Sequence, residues 1–147
     1  METAIFAAGC FWGVQFYFDQ VPGVTDTVAG YIGGTVDKPT YEQVCSHDTG
    51  HAEAVKITFD PKNVSYETLL KQFFRMHDPT KPNRQGNDRG SQYRSAIFTT
   101  SPAQREAAQR VEARVDASHE WKAPVVTQIV DASTFTRAEE DHQHYLE

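Results

Sequence analysis

The sequence predicts an α+β protein: a two-layer α/β sandwich with a ferredoxin-like βαββαβ core, extended by a further C-terminal strand, a helix and long loops. Three observations predict it. Segments with strand-like alternation and segments with helical spacing follow one another in the order β-α-β-β-α-β-α-β-α, and the first six fit the ferredoxin-like plan. The length of 147 residues suits one domain with a substantial core, so residues 1–147 are read as a single domain. No repeat, linker or low-complexity stretch divides them.

Residues 2–8 read as a short strand. Residues 11–20 read as a helix, with Phe11, Val14, Phe18 and Val21 at helical spacing and Pro22-Gly23 ending it. Residues 24–31 are strand-like, and Gly33-Gly34 opens a loop that runs to about Thr49. Residues 51–59 alternate clearly: Glu53, Val55, Ile57 and Phe59 share one face, and Ala54, Lys56, Thr58 and Asp60 the other. After the turn Asp60-Pro61-Lys62-Asn63, Ser65 caps a helix through His77. Glu67 lies in its first turn, and Tyr66, Leu69, Leu70, Phe73 and Phe74 face inward.

Residues 78–91, rich in Pro, Gly, Asn and Arg and without periodicity, form a loop long enough to point to function or mobility. Residues 95–100 are a strand. Ser101-Pro102-Ala103-Gln104 places a capping box and an N1 proline on a helix through Ser118. Residues 125–130 are the last clear strand, and residues 136–139 cap a short terminal helix.

Composition removes several function classes. With 14 basic and 20 acidic residues the net charge is −6, which speaks against general nucleic-acid binding. No apolar run of about 18 residues exists, so no membrane span is expected. The opening Met1-Glu2-Thr3 lacks the basic region of a secretory signal. Two cysteines without such a signal suggest a reducing compartment, the cytoplasm, and thiol chemistry rather than a disulfide framework.

The chemistry centres on Ala7-Ala8-Gly9-Cys10-Phe11-Trp12-Gly13, where a strand runs into a cysteine and a helix starts at once. A sulfur there meets unpaired backbone N–H groups at the positive end of the helix dipole, which favours thiolate over thiol. Two glycines let the backbone turn sharply, and Phe11 and Trp12 can wall an apolar pocket. Taken alone, the stretch also fits a buried, inert cysteine. Glu53 falls on the apolar face of its strand. There burial keeps a carboxyl protonated near neutrality and makes it a proton donor. The other reading has the strand start at Ala54, with Glu53 in water at its edge. The polar stretch from Asn83 to Arg94 can deliver Asp88 and Tyr93 to a cleft or serve as a solvated connection. Tyr41 lies in another loop. Cys45, His47 and His51 have a C-x-H-x₃-H spacing, but no fourth ligand is apparent and no metal is expected. The remaining histidines suit caps and surfaces. A thiol paired with a neutral acid suits attack on an electrophile whose oxygen must leave protonated.

These motifs resemble the A-type peptide methionine sulfoxide reductases. The resemblance rests on Gly9-Cys10-Phe11-Trp12-Gly13, Tyr41-Glu42-Gln43-Val44-Cys45, Thr49-Gly50-His51-Ala52-Glu53-Ala54-Val55 and the run from Gly86 to Ser95. His142-Gln143 with Tyr145-Leu146 resembles the family's terminal segment.

The resemblance implies thiol-dependent reduction of methionine S-sulfoxide, free or in proteins, and hence repair of oxidised proteins by a monomer without cofactor. It makes Cys10 the nucleophile and Glu53 the acid, with Tyr41 and Tyr93 as hydrogen-bond donors to the sulfoxide oxygen. Asp88 supports the polar end, and Phe11 and Trp12 hold the S-methyl group. It also implies a sulfenic acid on Cys10. Many members resolve that acid with a cysteine in a C-terminal tail beyond the terminal segment. This sequence has none there, and Cys45 reads as a structural thiol. The expectation is therefore a one-cysteine cycle recycled by thioredoxin, glutaredoxin or a small thiol. Two other readings use the same residues: a thiol peroxidase, which needs neither Glu53 nor a methyl pocket, and a non-catalytic module that binds oxidised methionine.

Overall fold

The computed structural model describes residues 1–34, 39–45, 50–85 and 88–146. Its main sheet has strands β1 (Glu2–Ala8), β2 (Val24–Ile32), β3 (Ala52–Phe59), β6 (Ser95–Thr99), β7 (Gln128–Asp131) and β8 (Thr136–Arg137), in the spatial order β7-β6-β1-β3-β2-β8. The central four run antiparallel: Phe6 lies opposite both Val55 and Ile97, and Tyr31 opposite Glu53. Strands β1 and β2, joined by helix α1 (Phe11–Asp19), straddle β3, as the ferredoxin-like plan requires. The expected fold class is borne out. Strand β7 adds in parallel to β6, and β8 adds antiparallel to β2.

Alternation along the strands sorts side chains to two faces. On one face, Phe6, Tyr31, Val55, Ile57, Phe59 and Ile97 pack against Phe11, Val14 and Phe18 of α1. The same core takes Leu69, Leu70, Phe73 and Phe74 of α3 (Tyr66–Met76), with Ala108 and Val111 of α4 (Pro102–Ser118). The Phe6 ring sits 5.6 Å from Phe18 and 5.0 Å from Phe73, tying α1 and α3 to the central strand. Each such side chain contributes about 1.5–3 kcal/mol through burial. The opposite face carries Ile5, Ala7, Ile32, Ala52, Ala54, Ala96 and Phe98, packed against Ala132 and Phe135. Small residues there let the connecting chain lie close. A Cβ on Gly30 would stand 2.4 Å from the Phe135 ring.

The helix caps follow the sequence signals. Ser65 Oγ accepts from Thr68 N at 3.1 Å, and Ser101 Oγ from Gln104 N at 3.2 Å. The Gln104 amide does not close a full capping box. It accepts from Thr100 N at 3.0 Å and donates to Thr3 O at 2.7 Å, so it ties α4 to β1.

Four local expectations are corrected. Residues 41–45 form a short helix, α2 (Tyr41–Cys45), rather than loop. Thr40 and Gln43 exchange side-chain to backbone bonds of 2.8 and 3.2 Å across its start, a capping box present in the sequence. The long loop folds a hairpin of β4 (Arg84–Gln85) and β5 (Asp88–Arg89), followed by a 3₁₀ turn, Ser91–Tyr93. The last long strand starts at Gln128, because Val125 N is bonded to Asp116 Oδ1 and Val126 N to Pro79 O. The terminal segment is not a capped helix: Ala138 N donates to Ala29 O, which keeps it on β2, and only a 3₁₀ turn, Glu140–His142, follows. Among the described residues no helix is long and apolar enough to cross a membrane.

Candidate active site

The site forms where β1 ends and α1 begins. Gly9, at φ +97°, turns the chain in a region that glycine alone enters freely. The turn is also crowded: a Cβ on Gly9 would lie 2.9 Å from the Gln85 stem. Cys10 occupies the N-cap position, half-buried, with its thiol free.

The helix start acts as expected, but it does not win. Burial pushes the Cys10 thiol up to about 11, and the charges of Glu53 and Asp88 add to the rise. Hydrogen bonds from the N–H groups of Trp12 and Gly13 pull the other way. The expectation of a resting thiolate is therefore corrected, because desolvation outweighs the helix terminus. Cys10 rests as a thiol.

Glu53 is completely buried on β3. Its Oε1 accepts from Phe11 N at 3.2 Å, so the carboxyl is fixed to the residue that follows Cys10. Its Oε2 is buried without a partner among the described residues. Burial raises the carboxyl to about 8, against the Phe11 bond and with help from Asp88. At neutral pH the group keeps its proton. The reading of Glu53 as a solvated edge residue does not survive its burial.

Asp88 lies exposed on β5, opposite Gln85, close enough for its charge to act on both Cys10 and Glu53. The Gln85 amide holds that hairpin to the main chain of Asp78, accepting at 3.1 Å and donating at 2.6 Å. Tyr93 is half-buried at the end of the 3₁₀ turn, which packs against β3. Tyr41 stacks on Phe11, with centroids 6.2 Å apart. Thus Cys10, Glu53, Asp88, Phe11 and Tyr41 share one locality, and Trp12 lies one residue beyond the Phe11–Glu53 bond. The arrangement sets a half-buried thiol near a proton-bearing carboxyl, among aromatic rings.

Among the described residues no three His, Cys, Asp or Glu side chains cluster, and His47 lies outside them. His51 Nδ1 instead accepts from Gly34 N at 3.1 Å.

A family model described as peptide methionine sulfoxide reductase matches residues 2–147. The chain belongs to this family. A peptide methionine sulfoxide reductase MsrA of Acidobacterium capsulatum is 54% identical over 147 residues, covering all of this chain and 94% of the relative. The crystal structure of Mxr1 from Saccharomyces cerevisiae in reduced form matches with a TM-score of 0.90 at 34% identity, over 99% of this chain and 83% of that one. Mxr1 in complex with Trx2 matches at 0.69 and 25% identity, over 98% and 84%. The reductase is an oxidoreductase that reduces methionine sulfoxide with thiols as electron donors.

Residues of the terminal segment, of which the histidines were expected at caps and surfaces, also reach this locality. Glu139 takes the Tyr31 hydroxyl at 2.9 Å and the Tyr41 N–H at 3.0 Å on its two oxygens. His142 lies among Phe11, Trp12 and Tyr41. Tyr145 stacks on Trp12 at 4.0 Å. Gln143 binds Ala29 through both ends of its amide, at 2.9 Å each. The signal for three of them was the terminal motif itself, His142-Gln143 with Tyr145-Leu146.

Proposed function

We propose that residues 1–147 form one reductase domain in which Cys10 attacks the sulfur of methionine S-sulfoxide while Glu53 protonates its oxygen. The observation that carries this reading is the buried, proton-bearing Glu53 bonded to the main chain next to Cys10. A sulfoxide oxygen leaves poorly without a proton. Glu53 supplies it, and positive charge then develops on the substrate sulfur. That charge lowers the pKa of the adjacent thiol, so Cys10 ionises as it attacks. A bond forms between the two sulfurs as the S–O bond breaks, and the oxygen leaves as water with the protons of Glu53 and Cys10. Water then adds to the Cys10 sulfur and returns one proton to Glu53. The S–S bond breaks, the thioether departs and Cys10 is left as a sulfenic acid. The substrate sulfur gains the two electrons that the cysteine sulfur loses.

Tyr41 and Tyr93 donate hydrogen bonds to the sulfoxide oxygen, and Asp88 holds the polar end. Phe11 and Trp12 receive the S-methyl group. Oxygen donors on one side and aromatic rings on the other present a single sulfur epimer to Cys10, in keeping with one enzyme per epimer. The substrate is free or protein-bound. A first thiol attacks the sulfenic acid, releasing water and forming a mixed disulfide, and a second thiol frees Cys10. Thioredoxin is the favoured donor, by likeness to the yeast protein solved with Trx2. Glutaredoxin or a small thiol fills the same role. The reductase works as a cytoplasmic monomer that repairs oxidised proteins.

Turnover of methionine S-sulfoxide by Cys10→Ser and Glu53→Gln tests the reading. Cys10→Ser loses it completely, and Glu53→Gln slows it about 10²–10⁴-fold, the usual range for a general acid. A peroxidase keeps peroxide turnover in Glu53→Gln, and a binding module keeps its activity in Cys10→Ser. Mass mapping after a single turnover without reductant should find oxygen on Cys10. A Cys10–Cys45 disulfide would end the one-cysteine cycle.

A further inference from the structure

The proposed methyl and oxygen subsites are joined by a side chain that neither contains. His142 Nδ1 accepts the indole N–H of Trp12 at 3.1 Å. Its ring lies nearly parallel to the indole, at 18°, and its centroid is 4.2 Å from Tyr41 and 5.7 Å from Phe11. The indole N–H only donates, so Nδ1 must be the unprotonated nitrogen and the ring proton sits on Nε2.

The imidazole is itself held firmly. Gln143, the next residue, bonds the main chain of Ala29 twice and that of Ala138 once. His144 N donates to the buried Gln15 at 2.8 Å, and the His144 ring meets Asp19 Oδ2 at 2.9 Å. On the other side Glu139 binds Tyr31 and Tyr41. The terminal segment is thus a strap across β2 and α1. It delivers one imidazole between Trp12 and Tyr41 and lays Tyr145 on the outer face of Trp12.

We propose that His142 is a specificity-determining positioning residue. It locks the Trp12 indole and the Tyr41 ring in one relative orientation, and so fixes which sulfoxide epimer fits between the methyl and oxygen subsites. This rests on the assignment of Trp12 and Tyr41 to those subsites. Among the described residues His142 packs on Trp12, Phe11 and Tyr41, not on the reacting sulfur or Glu53. Its loss therefore acts on substrate fit, which appears in KM, more than on the chemical step, which appears in kcat.

The test uses the full chain in a Trp121→Phe background, where Trp12 is the one remaining tryptophan. His142→Ala, His142→Asn, Trp12→Ala and the parent are compared for KM, kcat, the S:R epimer ratio and the emission of Trp12. His142→Ala should raise KM for methionine S-sulfoxide roughly tenfold, the scale of one misfit in an apolar pocket, and lower the S:R ratio similarly. Its kcat should change less than about threefold. Trp12 emission should shift to the red and become more open to acrylamide. His142→Asn sets an amide oxygen near the Nδ1 position and should restore part of the emission and of KM. An unchanged KM and emission in His142→Ala, or a loss confined to kcat, overturns the proposal while the subsite assignment stands, provided Trp12→Ala still raises KM. A KM indifferent to Trp12→Ala overturns the subsite assignment, and the proposal with it, even where the emission shows the two rings coupled.

Discussion

At the scale of single residues, the site depends on two groups held uncharged by the same burial. Glu53 keeps its proton up to about pH 8, and Cys10 keeps its own to about 11. Burial does this although the backbone N–H of Phe11 favours the carboxylate and those of Trp12 and Gly13 favour the thiolate. An acid must be protonated to donate, so kcat/KM for methionine sulfoxide should fall as pH rises through about 8. Asp88→Asn removes a negative charge that raises both groups. The falling limb should then move to lower pH, and Cys10 alkylation by iodoacetamide should accelerate at a fixed pH near 9. Glu53→Gln should lose the limb altogether. A limb that stays in place in Glu53→Gln would show that another group sets it. Parity along β3 made Glu53 legible in the sequence, because a carboxyl among Val55, Ile57 and Phe59 has to be neutral or paired. The charge state of Cys10 was not legible. The dipole rule is local, whereas desolvation depends on what folds over the sulfur from elsewhere in the chain.

Among the elements, the strap from residue 138 to 145 differs from the rest of the fold in how it is attached. Strands β1 and β3 and helices α1, α3 and α4 announce themselves through periodicity and caps, because each buries a face. The strap buries few apolar side chains and is held through amides. Gln143 takes the place of a paired strand, accepting from Ala29 N and donating to Ala29 O at 2.9 Å each. No periodicity encodes such a bond, so pattern reading expected a terminal helix here. The hairpin carrying Asp88 was hidden for a similar reason: its two-residue strands are too short to alternate. Gln143→Ala should leave the buried Ala29 N–H without its partner, a loss of about 1–3 kcal/mol. Urea denaturation measures it, and amide hydrogen exchange locates it: Ala29 and residues 138–145 should exchange faster, while β1 and β6 stay protected. Uniform acceleration across the sheet would mean that the strap is part of the cooperative core instead.

For the whole molecule, buried groups that titrate in opposite senses set the pH of greatest stability. His77 lies 8% exposed between Phe73 O, at 2.6 Å, and Ser95 Oγ, at 2.7 Å, with Ser95 bonded onward to Thr127. Burial lowers it from 6.5 to about 4. Its contribution is therefore complete above pH 6.5 and is lost as pH falls through about 4. Glu53 works the other way. Its carboxyl is raised from 4.5 to about 8, so the fold carries no penalty from it below pH 4.5 and loses stability as pH rises through about 8. Between 4.5 and 6.5 the two slopes largely cancel. Above 6.5 only the carboxyl side remains, reinforced near the start by Glu112, which burial and Asp116 raise to about 7. From pH 6.5 to 8 Glu53 alone should remove roughly 2 kcal/mol, at about 1.4 kcal/mol per pH unit. Urea denaturation of the full chain at pH 5.5, 6.5 and 8.5 should thus show its highest stability at or below 6.5. Glu53→Gln keeps an oxygen for the Phe11 N–H and has no proton to lose, so most of the decline toward 8.5 should vanish in that variant. Parallel decline in the two proteins would mean that folding does not hold the Glu53 proton, and the acid in the proposed reaction would have to be sought elsewhere.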